Sequence, residues 1–195
     1  MSATARVEAF SDGVFAIAIT LLILDLHVPD ATPAGTLAGA LAHQWPSYVA
    51  YVMSFSVILV MWVNHHRIFS LLSRADHPLL YWNGLLLMLI SIVPFPTALL
   101  AKYPGTRLAA GIYAAHGLLI ALAFTALWRY AIRGGHLLHP HHDRAEVARM
   151  SRQYRYGPLA YLAACLLVFV HPYATIALCL ALALFFAFRG FVVKD

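Results

Sequence analysis

Long apolar runs that are almost free of charge constrain this 195-residue chain more than any other feature of its sequence. A membrane-spanning helix needs about 20 mostly apolar residues, and six stretches reach or approach that length, with loops marked by residues such as Pro33 and Gly35. The stretches are residues 7–27, 37–64, 78–101, 108–132, 154–170 and 173–191. The last two are separated by Pro172, which interrupts a helix and predicts a tight hairpin. We therefore expect an all-α integral membrane protein with six transmembrane helices per subunit.

Composition favours a lipid bilayer as the partner of this chain and argues against nucleic acid. Hydrophobic residues make up 62% of the sequence and charged residues 11%, whereas soluble domains are roughly 45–50% apolar. A net charge of +5 would fit nucleic-acid binding only if basic residues formed a patch on a solvated face. Here they lie in short segments between apolar runs. No long internal repeat or low-complexity linker divides the chain, so residues 1–195 are expected to form a single membrane domain.

The distribution of lysine and arginine predicts the orientation of the chain. If the N-terminus is inside, only Lys102 and Arg107 of the 13 Lys and Arg residues fall in outer loops, which leaves eleven inside. Arg189 and Lys194, at the end of the chain, belong to the inner set. Because cytoplasmic segments favour Lys and Arg, we expect a multi-pass protein of the cell membrane with both termini in the cytoplasm.

The first predicted helix combines an aliphatic stripe with ionisable residues near its start. At 100° per residue, Ile17, Leu21 and Leu24 share one face, and Thr20 lies at its edge. Asp12 falls on the opposite side. An ionisable group at membrane depth is a functional hypothesis by default. We expect Asp12 to point toward the rest of the subunit, where a hydrogen-bonded partner offsets its desolvation.

The end of the second helix supplies candidate partners for Asp12. They form a cluster that consists of Trp62, Asn64, His65, His66 and Arg67. If the first two helices run antiparallel, this cluster reaches the same inner membrane surface as Asp12. One hypothesis is a buried network of Asp, His and Arg that holds the first helix and responds to pH, because histidine titrates near neutrality. The other is an interfacial belt of Trp and His with a snorkelling arginine. Periodicity does not decide between them.

The histidine-rich segment, the charged segment after it and the prolines of the third span are expected to have structural roles. Four histidines lie between residues 136 and 142, but no neighbouring geometry fixes a coordination shell, so we expect a solvated loop without metal. The segment 143–155 is expected to form an amphipathic helix leading into the fifth span. Pro94 and Pro96 require a kink or neighbouring groups to satisfy the carbonyls they free. The sequence has no nucleophile elbow or phosphate loop, so we expect neither an enzyme nor a cofactor. It also has no TVGYG potassium filter, so any ion filter here would have to be built differently.

Three motifs together resemble the transmembrane protein 175 family of potassium channels. The stretch RVEAFSDGVFAIAITL at residues 6–21 is similar to the family's first-helix signature. The stretch WVNHHRIF at residues 62–69 is similar to its second-helix motif, and IVPFPT at residues 92–97 to its third. The resemblance covers about the first half of the chain, and the remainder agrees only in hydropathy.

This resemblance implies a homotetramer of six-helix subunits whose four first helices line a central pore. Ile17 would then form the narrowest, hydrophobic ring, and Thr20, Leu21 and Leu24 would extend the pore lining outward. The permeant ion would be K⁺, and other monovalent cations could also pass. The network that supports the pore helix would comprise Arg6, Ser11, Asp12, Trp62, His65, His66 and Arg67.

Three functions are compatible with the residues taken alone. They are a passive potassium-preferring channel, a small proton-coupled transporter in which Asp12 and a second-helix histidine relay protons, and an intramembrane enzyme that uses the histidines. A small transporter more often shows inverted repeats or interrupted helix pairs, and an enzyme gathers its reacting groups at one site. The family resemblance favours the channel.

Overall fold

The computed structural model describes the backbone of residues 3–29 and 36–191 and the side chains of residues 4–29 and 36–185. The loop residues Pro33 and Gly35 and the side chains of Arg189 and Lys194 lie outside this part of the chain. The helices are α1 (Ala3–Leu21, continued by a 3₁₀ turn at Leu22–Asp25), α2 (Leu37–His43), α3 (Trp45–Ser70), α4 (His77–Ile92), α5 (Pro94–Lys102), α6 (Arg107–Ile132), α7 (Arg144–Leu167) and α8 (Pro172–Phe191). Apart from one isolated bridge between Leu72 and Leu138, the regular structure of these described residues is helical.

Four helical segments have the length and apolar composition needed to cross a membrane. They are Thr4–Asp25, Trp45–Ser70, His77–Lys102 and Arg107–Gly135, and they correspond to the first four predicted spans. The apolar part of α8 that is described, Pro172–Phe185, is shorter. An all-helical protein with at least four apolar spans is therefore the architecture found in the described residues.

The second predicted span differs from the structure at both ends. The prediction placed one helix at residues 37–64, whereas the structure has a short α2, a break at Gln44 and a long α3 that continues to Ser70. Pro46 lies in the first turn of α3, where its missing N–H has no intrahelical partner to lose. Thr36 caps α2 by accepting a hydrogen bond from the Gly39 amide. The two helices therefore begin separately, each with its own start signal.

The third predicted span, residues 78–101, is divided at Val93 into α4 and α5. Pro94 and Pro96 lack the amide hydrogens that would bond carbonyls one turn earlier, so the regular ladder cannot pass through this point. The Ile90 carbonyl, which Pro94 cannot bond, accepts instead from the Val93 amide at 3.1 Å, and the Thr97 hydroxyl donates to the Val93 carbonyl at 2.8 Å. The same hydroxyl lies 2.7 Å from Ser54 Oγ on α3, which ties the kink to the neighbouring helix.

The fifth predicted span and the amphipathic segment before it form one continuous helix. Asp143 caps α7 by accepting from the Ala145 amide, and α7 then continues to Leu167 with Pro158 in its interior. Pro158 cannot donate to the carbonyl of Tyr154. The Thr125 hydroxyl of α6 donates to that carbonyl at 2.9 Å instead, so α7 passes the proline without ending.

The helices pack so that α1 is covered on one side only. α1 contacts α3 and α4, α6 contacts α4, and α7 packs against α6 and α8. Phe15, Ala18 and Leu22 of α1 are buried in the main core cluster with residues of α3 and α4 such as Ile58 and Leu86. None of the residues that the structure describes covers the opposite face of α1.

A cavity between α3, α6 and α7 gives a direct test of this packing. Gly157 is buried and lines the cavity, and apart from its chain neighbours and its own helix backbone no heavy atom lies within 4 Å of where its Cβ would be. In contrast, a Cβ at Gly117 would lie 2.6 Å from the Tyr161 ring. Both are helical glycines, for which alanine improves helix propensity by about 1 kcal/mol.

We therefore expect Gly157→Ala to leave the unfolding temperature within about 2 °C of wild type, because the gain in helix propensity, worth about 2–4 °C for a chain of this size, is offset by contact of the new methyl group with the ring of Pro158. Gly117→Ala is the matched control and should lower the unfolding temperature, because the Tyr161 ring must move. The measurement is thermal unfolding of both purified variants in detergent. Shifts of the same sign and size would contradict the packing of α7 described here.

Candidate functional site

The two faces of α1 differ in burial along the whole helix. Ser11, Phe15, Ala18 and Leu22 recur at helical spacing and are all buried. The other face carries large apolar side chains that the subunit leaves uncovered, with exposed fractions of 67% at Phe10, 61% at Ile17, 42% at Leu21 and 66% at Leu24. A monomeric soluble helix does not present such a row to water. This face must meet lipid, other protein or a pore.

Thr20 adds one polar group to the uncovered face of α1. Its hydroxyl lies 2.8 Å from the Ala16 carbonyl and 3.0 Å from the Ile17 carbonyl, to which it donates. The proton is therefore held by the helix backbone, and the lone pairs of the oxygen remain available. An oxygen arranged in this way can coordinate a cation, although it cannot donate to an anion.

Asp12 has a partner on the second long helix, and that partner is Trp62. The indole Nε1 donates to Asp12 Oδ1 at 2.8 Å. The His66 ring stacks beside the indole with ring centres 6.3 Å apart. The hydrogen bond to Asp12 thus comes from an indole, whereas the sequence had suggested a histidine or an arginine. An indole N–H donates only, and it does not relay protons under ordinary conditions.

A fully buried polar chain joins α1, α4 and α3 behind the exposed face. The Asn83 amide donates to Ser11 Oγ at 3.0 Å, and Ser11 in turn donates to the Val7 carbonyl. His65 Nε2 lies 2.9 Å from Asn83 Oδ1. Because this Asn83 oxygen only accepts, the geometry assigns the hydrogen of His65 to Nε2. The His65 ring also stacks on Phe69, so the imidazole is fixed on both sides.

Asn83 is the residue of this buried hydrogen-bonded series that was not predicted from the sequence. It lies in the strongly apolar stretch LLYWNGLLLMLI, and a polar amide in a membrane helix is a signal of internal hydrogen bonding. The signal was present, but its partners lie 18 and 72 residues away along the chain. Sequence spacing alone could not pair them.

The remaining predicted network residues lie apart from Asp12. Arg67 pairs with Glu146 of α7 at 3.7 Å, where both side chains are half-buried. Arg6 is exposed and lines a cavity that Val7 and Asn83 also line. Six of the seven predicted residues therefore form three groups: the Asp12 and Trp62 pair with His66 beside it, the Ser11 and His65 chain completed by Asn83, and Arg67 with its α7 partner. The seventh, Arg6, lies outside all three.

The Asp12 and Trp62 contact predicts a modest effect on stability. Asp12→Ala should lower the free energy of unfolding by about 1 kcal/mol, a typical net value for one hydrogen bond at an exposed position. Trp62→Phe removes the donor and keeps an aromatic ring. In a double-mutant cycle measured by thermal unfolding, we expect a coupling of about 1 kcal/mol between the two positions.

Asp12→Asn serves as the control, because it keeps the acceptor oxygen and removes the charge. It should retain most of the stability that Asp12→Ala loses. Additive losses in the cycle would show that the contact contributes nothing. Changed ion selectivity in a normally stable Asp12→Ala variant would place Asp12 in the conduction path.

The histidine-rich segment is held by its leucines. Leu137 and Leu138 are buried, while His136, His139 and His141 are exposed. The Ser73 amide donates to the Leu137 carbonyl at 2.8 Å, and the His139 amide donates to the Leu71 carbonyl at 3.0 Å. Among the described residues, no group of three or more His, Cys, Asp or Glu side chains is arranged to hold a metal ion.

Asp76, in the loop before α4, connects this segment to the helices. It caps α4 by accepting from the Leu79 amide at 3.0 Å, and Tyr130 donates to its other oxygen at 2.7 Å. His136 Nε2 lies 3.5 Å from the same oxygen. Burial alone raises the pKa of Asp76, but the hydrogen bonds from Tyr130 and Leu79 and the nearby His136 outweigh it and lower the pKa overall.

The lowered pKa of Asp76 predicts a pH dependence of stability. A carboxylate with a folded-state pKa below its unfolded value stabilises the fold above the unfolded pKa, and this contribution is lost as pH falls through the folded pKa. Asp76→Asn keeps the helix cap but removes the charge. We expect wild type to be more stable than Asp76→Asn at neutral pH and the difference to close in acid, below the ordinary value of 3.8.

Thermal unfolding in detergent between neutral pH and pH of about 3 measures this difference. Tyr130→Phe removes the hydroxyl that donates to Asp76. In a Tyr130→Phe background, the loss of stability caused by Asp76→Asn at neutral pH should therefore be smaller than in the wild type. A difference between wild type and Asp76→Asn that stays constant into acid would contradict the assignment.

Comparison with known proteins places these residues in a wider context. The family model described as "Endosomal/lysosomal potassium channel TMEM175" matches residues 6–94, which include all seven predicted network residues and Asn83. A protein named as a potassium channel from Chamaesiphon minutus is 53% identical over 194 residues, covering 97% of this chain and 96% of that protein. A second one, from Streptomyces collinus, is 49% identical and covers 97% and 94%.

A solved structure extends the similarity to the fold. The crystal structure of a lysosomal potassium-selective channel TMEM175 homolog from Chamaesiphon minutus superposes with a TM-score of 0.87 at 52% sequence identity. It covers 96% of this chain, and this chain covers 97% of it. The similarity therefore includes α7 and α8, where the sequence motifs had ended.

Proposed function

Because this chain belongs to the TMEM175 family, we propose that it is a potassium-preferring cation channel whose first helix lines the pore. The observation that carries the proposal is the uncovered apolar face of α1, set against a buried face that the Ser11, Asn83 and His65 chain holds in place. A helix fixed by buried hydrogen bonds on one side and apolar on the other suits the wall of a narrow conduit. The family described by the matching model is one of ion channels, which are not enzymes.

The proposed assembly is a homotetramer with four copies of α1 around a central axis. Ile17, Leu21 and Leu24 would face that axis, and the ring of Ile17 side chains would be the narrowest point. Assembly would bring the apolar row, which a single subunit leaves exposed, against the same rows of three other subunits around the axis. Arg6, Asp12 and the second-helix cluster would support the helix from outside the conduction path.

The proposed constriction selects by dehydration. An aliphatic ring offers no oxygen to replace the hydration shell of an ion, so it can exclude water and close the path. Of the two common monovalent cations, K⁺ sheds or deforms its shell more cheaply and would pass more readily. The Thr20 oxygens, one turn from Ile17 with lone pairs available, would offer a weak site beside the ring.

The proposed topology has six spans in one domain comprising residues 1–195. α8 has 20 residues, which is about 30 Å at 1.5 Å per residue and matches a hydrocarbon core of about 30 Å. The apolar part of α7, from Tyr154 to Leu167, is roughly 21 Å long by the same rise, so a locally thinner bilayer would accommodate the fifth span. The arginine-rich first half of α7 would lie at the cytoplasmic surface, with both termini on that side and the protein in the cell membrane.

Reconstitution into liposomes with an imposed potassium gradient tests the proposal. We expect a potassium flux that follows the electrical potential and needs no proton movement in return, with protein-free liposomes as the control. A flux that requires proton exchange would support the alternative, a small proton-coupled transporter using Asp12 and the second-helix histidines. The Asp12 contact with an indole, which is a poor proton relay, favours the channel.

A further inference from the structure

A cleft between α6 and α7 carries two arginines at the proposed cytoplasmic surface. Its open volume is about 130 Å³, ample for a phosphate group by comparison with the roughly 30 Å³ share of one liquid water. Arg129 of α6 and Arg155 of α7 lie on its two sides, and Thr125, Trp128 and Ser151 line it between them. Both arginines are exposed.

Among the described residues that line this cleft, Arg129, Arg155 and the Tyr154 hydroxyl are the free hydrogen-bond donors. The Ser151 hydroxyl donates to the Val147 carbonyl, and the Trp128 indole donates to Ser151. The Thr125 hydroxyl donates to backbone carbonyls of α6 and α7. The polar groups of Thr125, Trp128 and Ser151 are therefore engaged within the protein, and a ligand entering the cleft meets the positive charge of the two guanidinium groups.

Nearby carboxylates do not neutralise this charge. Glu146 pairs with Arg67 at 3.7 Å and Asp143 pairs with Arg149 at 3.7 Å. Asp76 is held by Tyr130 and His136. Within the described residues, no carboxylate oxygen lies within 4.0 Å of a guanidinium nitrogen of Arg129 or Arg155. The cleft thus lacks an anion of its own.

The surface next to the cleft is apolar in the direction of the membrane centre. Leu122 is exposed on α6 seven residues before Arg129, and Leu159 and Leu162 are exposed on α7 four and seven residues after Arg155. These spacings place leucines and arginines on the same helix faces. Because α6 and α7 run in opposite directions, both arginines lie at the same end of the exposed leucine rows.

We propose that this cleft binds the phosphate of an anionic phospholipid of the cytoplasmic leaflet, with its acyl chains along the exposed leucines. Basic pockets between membrane helices on the cytoplasmic side are suited to such head groups, and paired guanidinium groups bind phosphate oxygens with strong, directional hydrogen bonds. The inference uses the proposed membrane orientation and does not depend on ion conduction. Its test therefore needs no channel activity.

The test is thermal unfolding of the full-length protein in a neutral detergent. Phosphatidylglycerol should raise the unfolding temperature by about 5 °C or more near saturation, relative to phosphatidylcholine with the same acyl chains. The double variant Arg129→Gln/Arg155→Gln should lose most of this shift. Native mass spectrometry should show phosphatidylglycerol retained by the wild type and lost from the variant.

The matched control is Arg74→Gln/Arg144→Gln, which removes the same charge from two other exposed arginines on the proposed cytoplasmic side. It should keep the full shift. If the cleft variant does not fold, Arg129→Lys/Arg155→Lys keeps the charge but loses the planar fork of donors, and it should show a reduced shift.

Three results would overturn the proposal. An equal loss in the control would mean diffuse attraction to the basic surface. An equal stabilisation by inorganic phosphate would mean a site for free anions. A change in oligomeric state of the cleft variant on size-exclusion chromatography would mean that the arginines contact a second copy of the chain.

Discussion

Replacing Ile17 by asparagine is expected to raise potassium conductance about tenfold or more and to reduce the preference for potassium over sodium. A tenfold rise requires the barrier to fall by only about 1.4 kcal/mol. Asparagine replaces a branched hydrocarbon with an amide that donates and accepts hydrogen bonds. Water should then remain in the ring, and sodium should pass with more of its hydration shell intact.

The measurement is single-channel conductance and bi-ionic reversal potential in planar bilayers, after wild type and variant are shown to have the same oligomeric state. Leu159→Asn is the matched control, because Leu159 is as exposed as Ile17 but lies on the α7 surface assigned to lipid. It should leave both quantities unchanged. Unchanged conductance and reversal potential for Ile17→Asn would mean that position 17 does not line the limiting part of the pore. The proposed role of α1 would then fail.

Substitution of Asn83 by alanine is expected to have the largest effect on stability, about 3 kcal/mol. The change removes two buried hydrogen bonds and leaves the His65 Nε2 hydrogen without an acceptor. An unsatisfied buried donor costs about 1–3 kcal/mol, and the lost amide volume adds a cavity. For a chain of this length the unfolding temperature should fall by roughly 6–12 °C.

Two further variants separate the hydrogen bonds of Asn83 from its volume. Ser11→Ala/Asn83→Leu/His65→Phe replaces every member of the chain by an apolar group, and it should be closer to wild type than Asn83→Ala, since no donor is orphaned. Asn64→Ala removes a half-buried amide that contacts Gln153 and should cost about 1 kcal/mol. An unfolding temperature for Asn83→Ala equal to that of wild type would contradict the buried chain.

The position of the first four spans and the division of α1 into two faces follow from the sequence. Hydrophobic length determines whether a helix can cross a membrane, and each of the four segments found in the structure overlaps one of the first four apolar runs, although the second differs at both ends. Helical pitch places Ile17, Leu21 and Leu24 together whatever surrounds them. Both properties are local, because they depend on residues within a few turns of each other.

Helix boundaries depended partly on contacts from elsewhere in the chain. The sequence indicates a break or kink wherever proline occurs, and α5 does begin at Pro94. Pro158 lies inside a continuous α7 because Thr125, 33 residues earlier, satisfies the Tyr154 carbonyl. A local rule cannot anticipate a hydroxyl supplied by another helix.

The partners of the polar side chains were decided by the tertiary structure alone. Asp12 meets Trp62 across 50 residues, Asn83 meets Ser11 across 72, and Arg67 meets Glu146 rather than Asp12. The sequence supplied the right residue types near the predicted inner surface, but any of several donors could have reached Asp12. A hydrogen bond requires its two heavy atoms within about 3 Å of each other, and only the packing of α1 against α3 and α4 determines which pairs come that close.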